Sequence, residues 1–208
     1  MQSVKGTETK NLIREAAFRL FLTEDYETVS LKDIEKITKM TRGCTSYHYP
    51  TKKDLLVDVI NVYILDTQKN KHQSDSIYDM SLLEYINYYV EKNIAKTMDR
   101  LSQFVMPEAQ INGTRAYMNL VLQAEKYYPG FHQMLNEIES QEIMQLKAIL
   151  KRAQDKGEIR NTCNIELFAQ QMRLVFLGKS YQDALKNGLN INALKEQLYF
   201  LYFLIKSK

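Results

Sequence analysis

Two capping boxes stand close together near the start of the chain, Ser30-Leu-Lys-Asp33 and Thr51-Lys-Lys-Asp54. In each, the first hydroxyl can accept from the third amide of a helix while the carboxylate reaches back to the cap amide. Each box therefore starts a helix, and the chain between them has room only for short elements. The first helix places Ile34 and Ile37 inward and ends at a turn, Thr38-Lys39-Met40. Thr41 can cap a third helix over 41–48. Tyr49-Pro50 then forces extended backbone before the proline.

The flanks fit the same reading. Leu12, Ile13, Ala16, Ala17, Leu20 and Phe21 recur at i, i+1, i+4, i+5, i+8 and i+9, one wide face of a helix over 7–23. The second box opens a long helix with Leu55, Leu56, Val59, Ile60, Tyr63 and Ile64 on its apolar positions. The first third is thus helix, short helix, turn, short helix, long helix. Two short helices joined by about three or four residues form a helix-turn-helix pattern.

The net charge of +3 is too mild to identify a nucleic-acid partner, but its distribution is uneven. From Lys36 to Lys53 the charged or chargeable residues at neutral pH are Lys36, Lys39, Arg42, His48, Lys52 and Lys53, with no Asp or Glu. A helix can enter a major groove if its face tolerates phosphate and its side chains reach base edges. Arg42 can bond bidentately to guanine; Thr41 and Thr45 can meet bases or phosphates. Thr51 and Lys52 stand at a helix start that favours phosphate. Ser30, Lys32, Gly43 and Cys44 complete the candidate DNA-contacting set. Tyr49 reads as core, and Cys44 as a small filler rather than a redox centre.

The rest also reads as helical, since only seven glycines and three prolines interrupt it. A polar connection spans 68–80. Helices follow at about 81–97, 113–128, 131–155, 164–186 and 191–206. The last two are apolar over several faces, which implies burial on several faces and a partner subunit. The helices at 131–155 and 164–186 are expected to form a four-helix interface with their symmetry mates.

Other function classes find little support. Cys44 and Cys163 stand far apart, in no metal or redox spacing, and His48, His72 and His132 are scattered. No GxSxG, P-loop or GxGxxG occurs. Acid pairs such as Glu137 and Glu139 read as solvated helix faces. No enzyme, cofactor or metal is expected. The start has no apolar signal region, and LYFLYFLI at 198–205 falls well short of the ~20 residues that cross a bilayer. The expectation is a soluble, cytoplasmic protein with no membrane partner.

The run from AAFRLF to YETVSLKDIEKITKMTRGCTSYHYPTKKDLL resembles the N-terminal domain of the TetR family of bacterial transcriptional regulators. The likeness rests on Tyr26, Ser30, Asp33-Ile34, Gly43, Tyr47-His48-Tyr49, Lys52 and Leu55-Leu56. Two positions depart from the pattern. Asp25 replaces a usual glycine, where Asp would tolerate a left-handed backbone. Pro50 replaces a polar or basic residue and removes one possible phosphate contact. The resemblance implies an all-α fold of about nine to ten helices. A three-helix DNA-binding domain, 1–54, would precede a ligand-binding and dimerisation domain, 55–208. It implies backbone contacts from Tyr47, His48 and Lys52. It implies a homodimeric repressor, released from a near-palindromic double-stranded operator by a small, largely apolar effector. Tyr85, Tyr89, Phe104, Tyr117, Met118, Met172 and Phe176 are the candidate pocket residues. The alternative is a helical ligand-binding or scaffold protein of the same fold that no longer binds DNA.

Overall fold

A computed structural model describes residues 4–66 and 75–207 and has, among them, nine helices and no sheet. They are α1 (Val4–Thr23), α2 (Leu31–Thr38), α3 (Arg42–His48) and α4 (Lys52–Ile60, continued by a π-helical turn, Asn61–Leu65). After a 3-10 turn at Asp75–Asp79 comes α5, which runs as Leu82–Tyr88, a π-helical segment Tyr89–Ala95, and Lys96–Ser102. The last four are α6 (Gly113–Tyr127), α7 (Phe131–Asp155), α8 (Ile165–Ala184) and α9 (Ile191–Ile205). An isolated antiparallel bridge joins Ile159 to Lys206. His72 and the connection at 68–74 lie outside the described residues. Among those described, no helix is long and apolar enough to cross a membrane.

The capping chemistry sets the helix starts. Ser30 and Thr51 each close a capping box with the acid three residues on, and Ser81 does the same with Glu84. Thr41 caps α3 by accepting from the Cys44 amide. Lys39, at φ 57°, is the left-handed residue that ends α2 and turns the chain toward α3. Asp25 is not left-handed: the only non-glycine residues with positive φ among those described are Lys39 and Gln110. The Asp25 carbonyl instead accepts from the Thr28 and Val29 amides and the Thr28 hydroxyl, which closes the turn without a glycine.

Two buried clusters organise the chain. One joins α1, α2 and α4 to the end of α5, to α6 and to the start of α7, through residues such as Phe18, Phe21, Leu56, Leu120 and Phe131. The other joins α5, α7, α8 and α9 through Ile86, Leu150, Phe168 and Leu198. The helix-turn-helix therefore shares its core with α6, and α4 crosses the division expected after residue 54. Two residues expected inward are exposed, Leu12 at 54% and Ile37 at 47%. In α2 only Ile34 is buried, because so short a helix meets α1 along a narrow seam.

Candidate nucleic-acid interface and interior cavity

The second helix-turn-helix element, α3, is held by its two ends. At its start stands the Thr41 cap. At its end Tyr49 is buried and donates its hydroxyl to Asp58 at 2.5 Å. Asp58 also faces Arg14 at 3.2 Å and Lys10 at 3.6 Å, so α1, α3 and α4 meet at one carboxylate. Burial, and then the neighbouring Asp58, push the Tyr49 phenol far up and keep it a neutral donor.

What α3 leaves open is its outer side. Arg42, Gly43, Ser46 and Tyr47 are exposed, and the Tyr47 ring is 77% accessible, edge-on to the His48 ring at 5.1 Å. A Cβ added at Gly43 would meet nothing within 4 Å, so no close neighbour within the chain requires glycine there. Lys32 of α2 and Thr51 and Lys53 at the start of α4 are exposed as well. Cys44 and His48 are half-buried.

Four of the candidate contacts are otherwise engaged. Thr45 is fully buried, and its hydroxyl donates to the Thr41 carbonyl at 3.3 Å, so it packs the inside of α3 and cannot read a base. The Ser30 and Thr51 hydroxyls donate to Asp33 and Asp54 within their capping boxes, at 2.6 and 2.7 Å. Lys52 turns back onto the chain. Its ammonium donates to the carbonyls of Tyr26 at 2.6 Å and Val29 at 2.9 Å and lies 4.1 Å from the centre of the Tyr26 ring. It braces the turn between α1 and α2 instead of standing free for phosphate. Lys53 is the exposed lysine of the pair, and the sequence reading passed it over. Adjacent residues on a helix point about 100° apart, so two consecutive lysines could not both face the same partner.

The larger half of the molecule encloses a cavity of about 200 Å³ between α4, α5, α6, α7 and α8. Five of the candidate pocket residues line it: Tyr85, Tyr89, Tyr117, Met172 and Phe176. Phe104 does not; it packs edge-on against Phe18 and Tyr63, in the core beneath α1. Met118 is half-buried outside the lining, on the same helix as Tyr117 but one position round. Both π-helical turns contribute to the wall, through Ile64 in α4 and Tyr89, Asn93 and Ile94 in α5. Such turns recur at functional sites because they re-aim side chains within a helix.

The cavity also holds charges that the sequence reading missed. Arg173 of α8 pairs with Glu139 at 3.1 Å and Glu142 at 2.7 Å, both on α7. Glu139, read as a solvated helix-face acid, lines the wall. The available signal was Arg173 itself, the only charged residue in LFAQQMRLVFLG. Burial, and then the nearby Glu142, raise the Tyr89 phenol, while burial and then Tyr89 raise that of Tyr85. Both hydroxyls stay protonated. Among the described residues, no group of His, Cys, Asp and Glu could hold a metal ion.

Known proteins resemble the chain in two ways. The model for bacterial regulatory proteins of the tetR family matches residues 13–59. A stretch of 56 residues is 34% identical to YuxN, an uncharacterised helix-turn-helix transcriptional regulator of Bacillus subtilis. That match covers 27% of this chain, and the chain spans only 19% of that relative's length. Among solved structures, a TetR-family transcriptional regulator from Cytophaga hutchinsonii superposes with a TM-score of 0.68 at 16% identity, over 100% of both chains. A TetR transcription regulator from Haloarcula marismortui gives 0.70 at 15% identity, over 97% of this chain and all of the other. A protein from Saccharomonospora viridis, solved in complex with choline, gives 0.68 at 18%, with the same coverage. At such identities the likeness is one of fold. The matched N-terminal domain is that of the tetR family of bacterial regulatory proteins, and the chain carries it on a fold shared with TetR-family regulators over its full length.

Proposed function

We propose that the chain is a cytoplasmic, homodimeric transcriptional regulator that binds a near-palindromic DNA operator and releases it when a small molecule fills the cavity. The observation that carries this reading is the exposed, acid-free outer side of α3, with Arg42 in its first turn. Arg42 pairs with guanine in the major groove, and Lys32 and Lys53 on either side meet phosphates. Residues 1–54 carry the DNA contacts; residues 55–208 carry the effector and the dimer.

The dimer is supported by apolar surface. On α8 and its C-cap, Leu167, Leu174, Tyr181 and Leu185 are each more than half exposed and share one face at i, i+7, i+14 and i+18. On α9, Phe200, Phe203 and Leu204 are exposed likewise. The long helix α7 offers only Met144 among the large exposed apolar residues, so α9 rather than α7 joins α8 in the interface. A two-fold through these helices would set the two α3 helices about one DNA turn apart, roughly 34–36 Å or slightly more.

Release follows from what the cavity wall touches. Ile64 belongs to α4, which begins next to α3. Tyr117 and Val121 belong to α6, whose buried Gln123 donates to the Phe21 carbonyl at 3.0 Å and whose Tyr127 donates to Glu27 at 2.8 Å. A ligand that fits a wider cavity better shifts both helices and, with them, the spacing of the recognition helices. The choline complex of the Saccharomonospora viridis relative supports a small organic molecule as the effector.

The test is selection from a random duplex library at near-physiological salt, with wild type and Arg42→Ala in parallel. Wild type should enrich a near-palindromic motif that the mutant loses. A folded dimer that enriches nothing would favour the alternative, a ligand-binding protein of this fold that no longer reads DNA.

A further inference from the structure

Resting on the reading of the cavity as the effector site, we infer that its ligand is a small organic cation, an ammonium group carried on a compact apolar body. The charge balance of the wall comes first. Two carboxylates, Glu139 and Glu142, and one guanidinium, Arg173, line the cavity. Arg173 is shared by both acids, at 3.1 and 2.7 Å. One negative charge is therefore left over in a wall that is otherwise mostly apolar. Glu142 is the more buried of the two acids, with 18% of its side chain exposed against 39% for Glu139, so a charge interaction is stronger at Glu142.

The rings add to this preference. Tyr85 and Tyr89 lie nearly parallel, 19° apart, with centroids 6.0 Å apart. Tyr89 meets Phe176 at 73° and 6.1 Å. The wall thus sets three aromatic rings in two orientations beside the two acids; the Phe176 ring already carries the Arg173 guanidinium 5.6 Å from its centre, which leaves the two tyrosine rings for a second cation. An organic anion would have to take Arg173 from two partners and strand both carboxylates. A neutral molecule would leave the surplus charge as it is. Only a cation completes the balance, and it does so with Arg173 still paired.

Volume limits the body that carries the charge. A dry engineered cavity of about 150 Å³ holds one benzene molecule. The roughly 200 Å³ here suits one ring or a short branched chain together with its ammonium head.

The experiment is calorimetric titration of the full-length protein with three probes of similar size: phenyltrimethylammonium, its uncharged isostere tert-butylbenzene, and benzoate. The expected order puts phenyltrimethylammonium first, by about tenfold or more over tert-butylbenzene. Glu142→Gln should weaken the cation by about tenfold and leave tert-butylbenzene unchanged, so the neutral probe doubles as a check that the variant is folded. Equal affinity for the cation and its isostere, or tightest binding of benzoate, would overturn the cation assignment and leave the effector site standing. Binding of none of the three would overturn both.

Discussion

Around α3, the groups that shape the backbone find their partners three residues away: Ser30 with Asp33, Thr41 with Cys44, Thr51 with Asp54. Around the cavity, partners come from distant helices. Arg173 meets Glu139 34 residues back, and Gln123 reaches the Phe21 carbonyl across 102 residues. The first region is specified locally and keeps its outer side free for a partner. The second is specified by packing, and its chemistry exists only once several helices have assembled. A short motif can therefore announce the first region, while the chemistry of the second must be read from the assembled wall.

That contrast can be tested hardest at the dimer, where the packed half would need a second copy to cover its surface. Leu174→Glu combined with Phe200→Glu should convert a micromolar dimer wholly to monomer, as measured by light-scattering mass, because each buries a charge in the apolar face. A wild-type protein that is already a monomer at that concentration would break the comparison outright.

Lys52 tests it from the other side, since its carbonyl partners lie 26 and 23 residues back along the chain. Charge-assisted hydrogen bonds to two carbonyls should make Lys52→Met cost about 1.5–3 kcal/mol in urea unfolding. The exposed Lys53→Met should stay within about 0.5 kcal/mol of wild type. Equal effects would mean that Lys52 is not a brace.

The smallest effect concerns the local caps. The Ser30 hydroxyl, then its amide, hold the Asp33 carboxyl below its usual range. A carboxyl lowered in the folded state adds stability above its unfolded pKa, and that stability is lost as pH falls through the folded value. Ser30→Ala should cost about 1 kcal/mol at pH 7. The gap to wild type should narrow in acid, below about pH 4, where the Asp33 contribution disappears. Unfolding curves at the two pH values check this; a gap that does not change with pH would remove Asp33 from the cap.

The contrast also sorts what was legible in the sequence. Helix positions followed from periodicity, caps and the few glycines and prolines, all of them local signals, and the observed ends fall within a few residues of the expected ones over most of the chain. Periodicity gives the direction of a face but not how much of it a neighbour covers, so Leu12 and Ile37 fit the apolar pattern and are still exposed. A short helix shows its polar residues without showing which side is out, so sequence alone places the buried Thr45 among the contacts. Lys52 looked free because its carbonyl partners, Tyr26 and Val29, carry no mark in sequence. In the cavity, aromatic residues at helical spacing included five wall residues but also Phe104, which belongs to the other core. The paired charges could be seen only after α7 and α8 were set side by side.

The measurement that bears most directly on the central claim is a comparison of Arg42→Ala and Lys53→Ala binding to the selected operator and to an unrelated duplex, over a range of salt. Arg42→Ala should lose about 1–3 kcal/mol on the operator alone and so shrink the preference for it. Lys53→Ala should weaken both duplexes alike and make the salt slope shallower by about one. Both variants binding like wild type would contradict the assignment of α3 and the start of α4 as the DNA-reading surface.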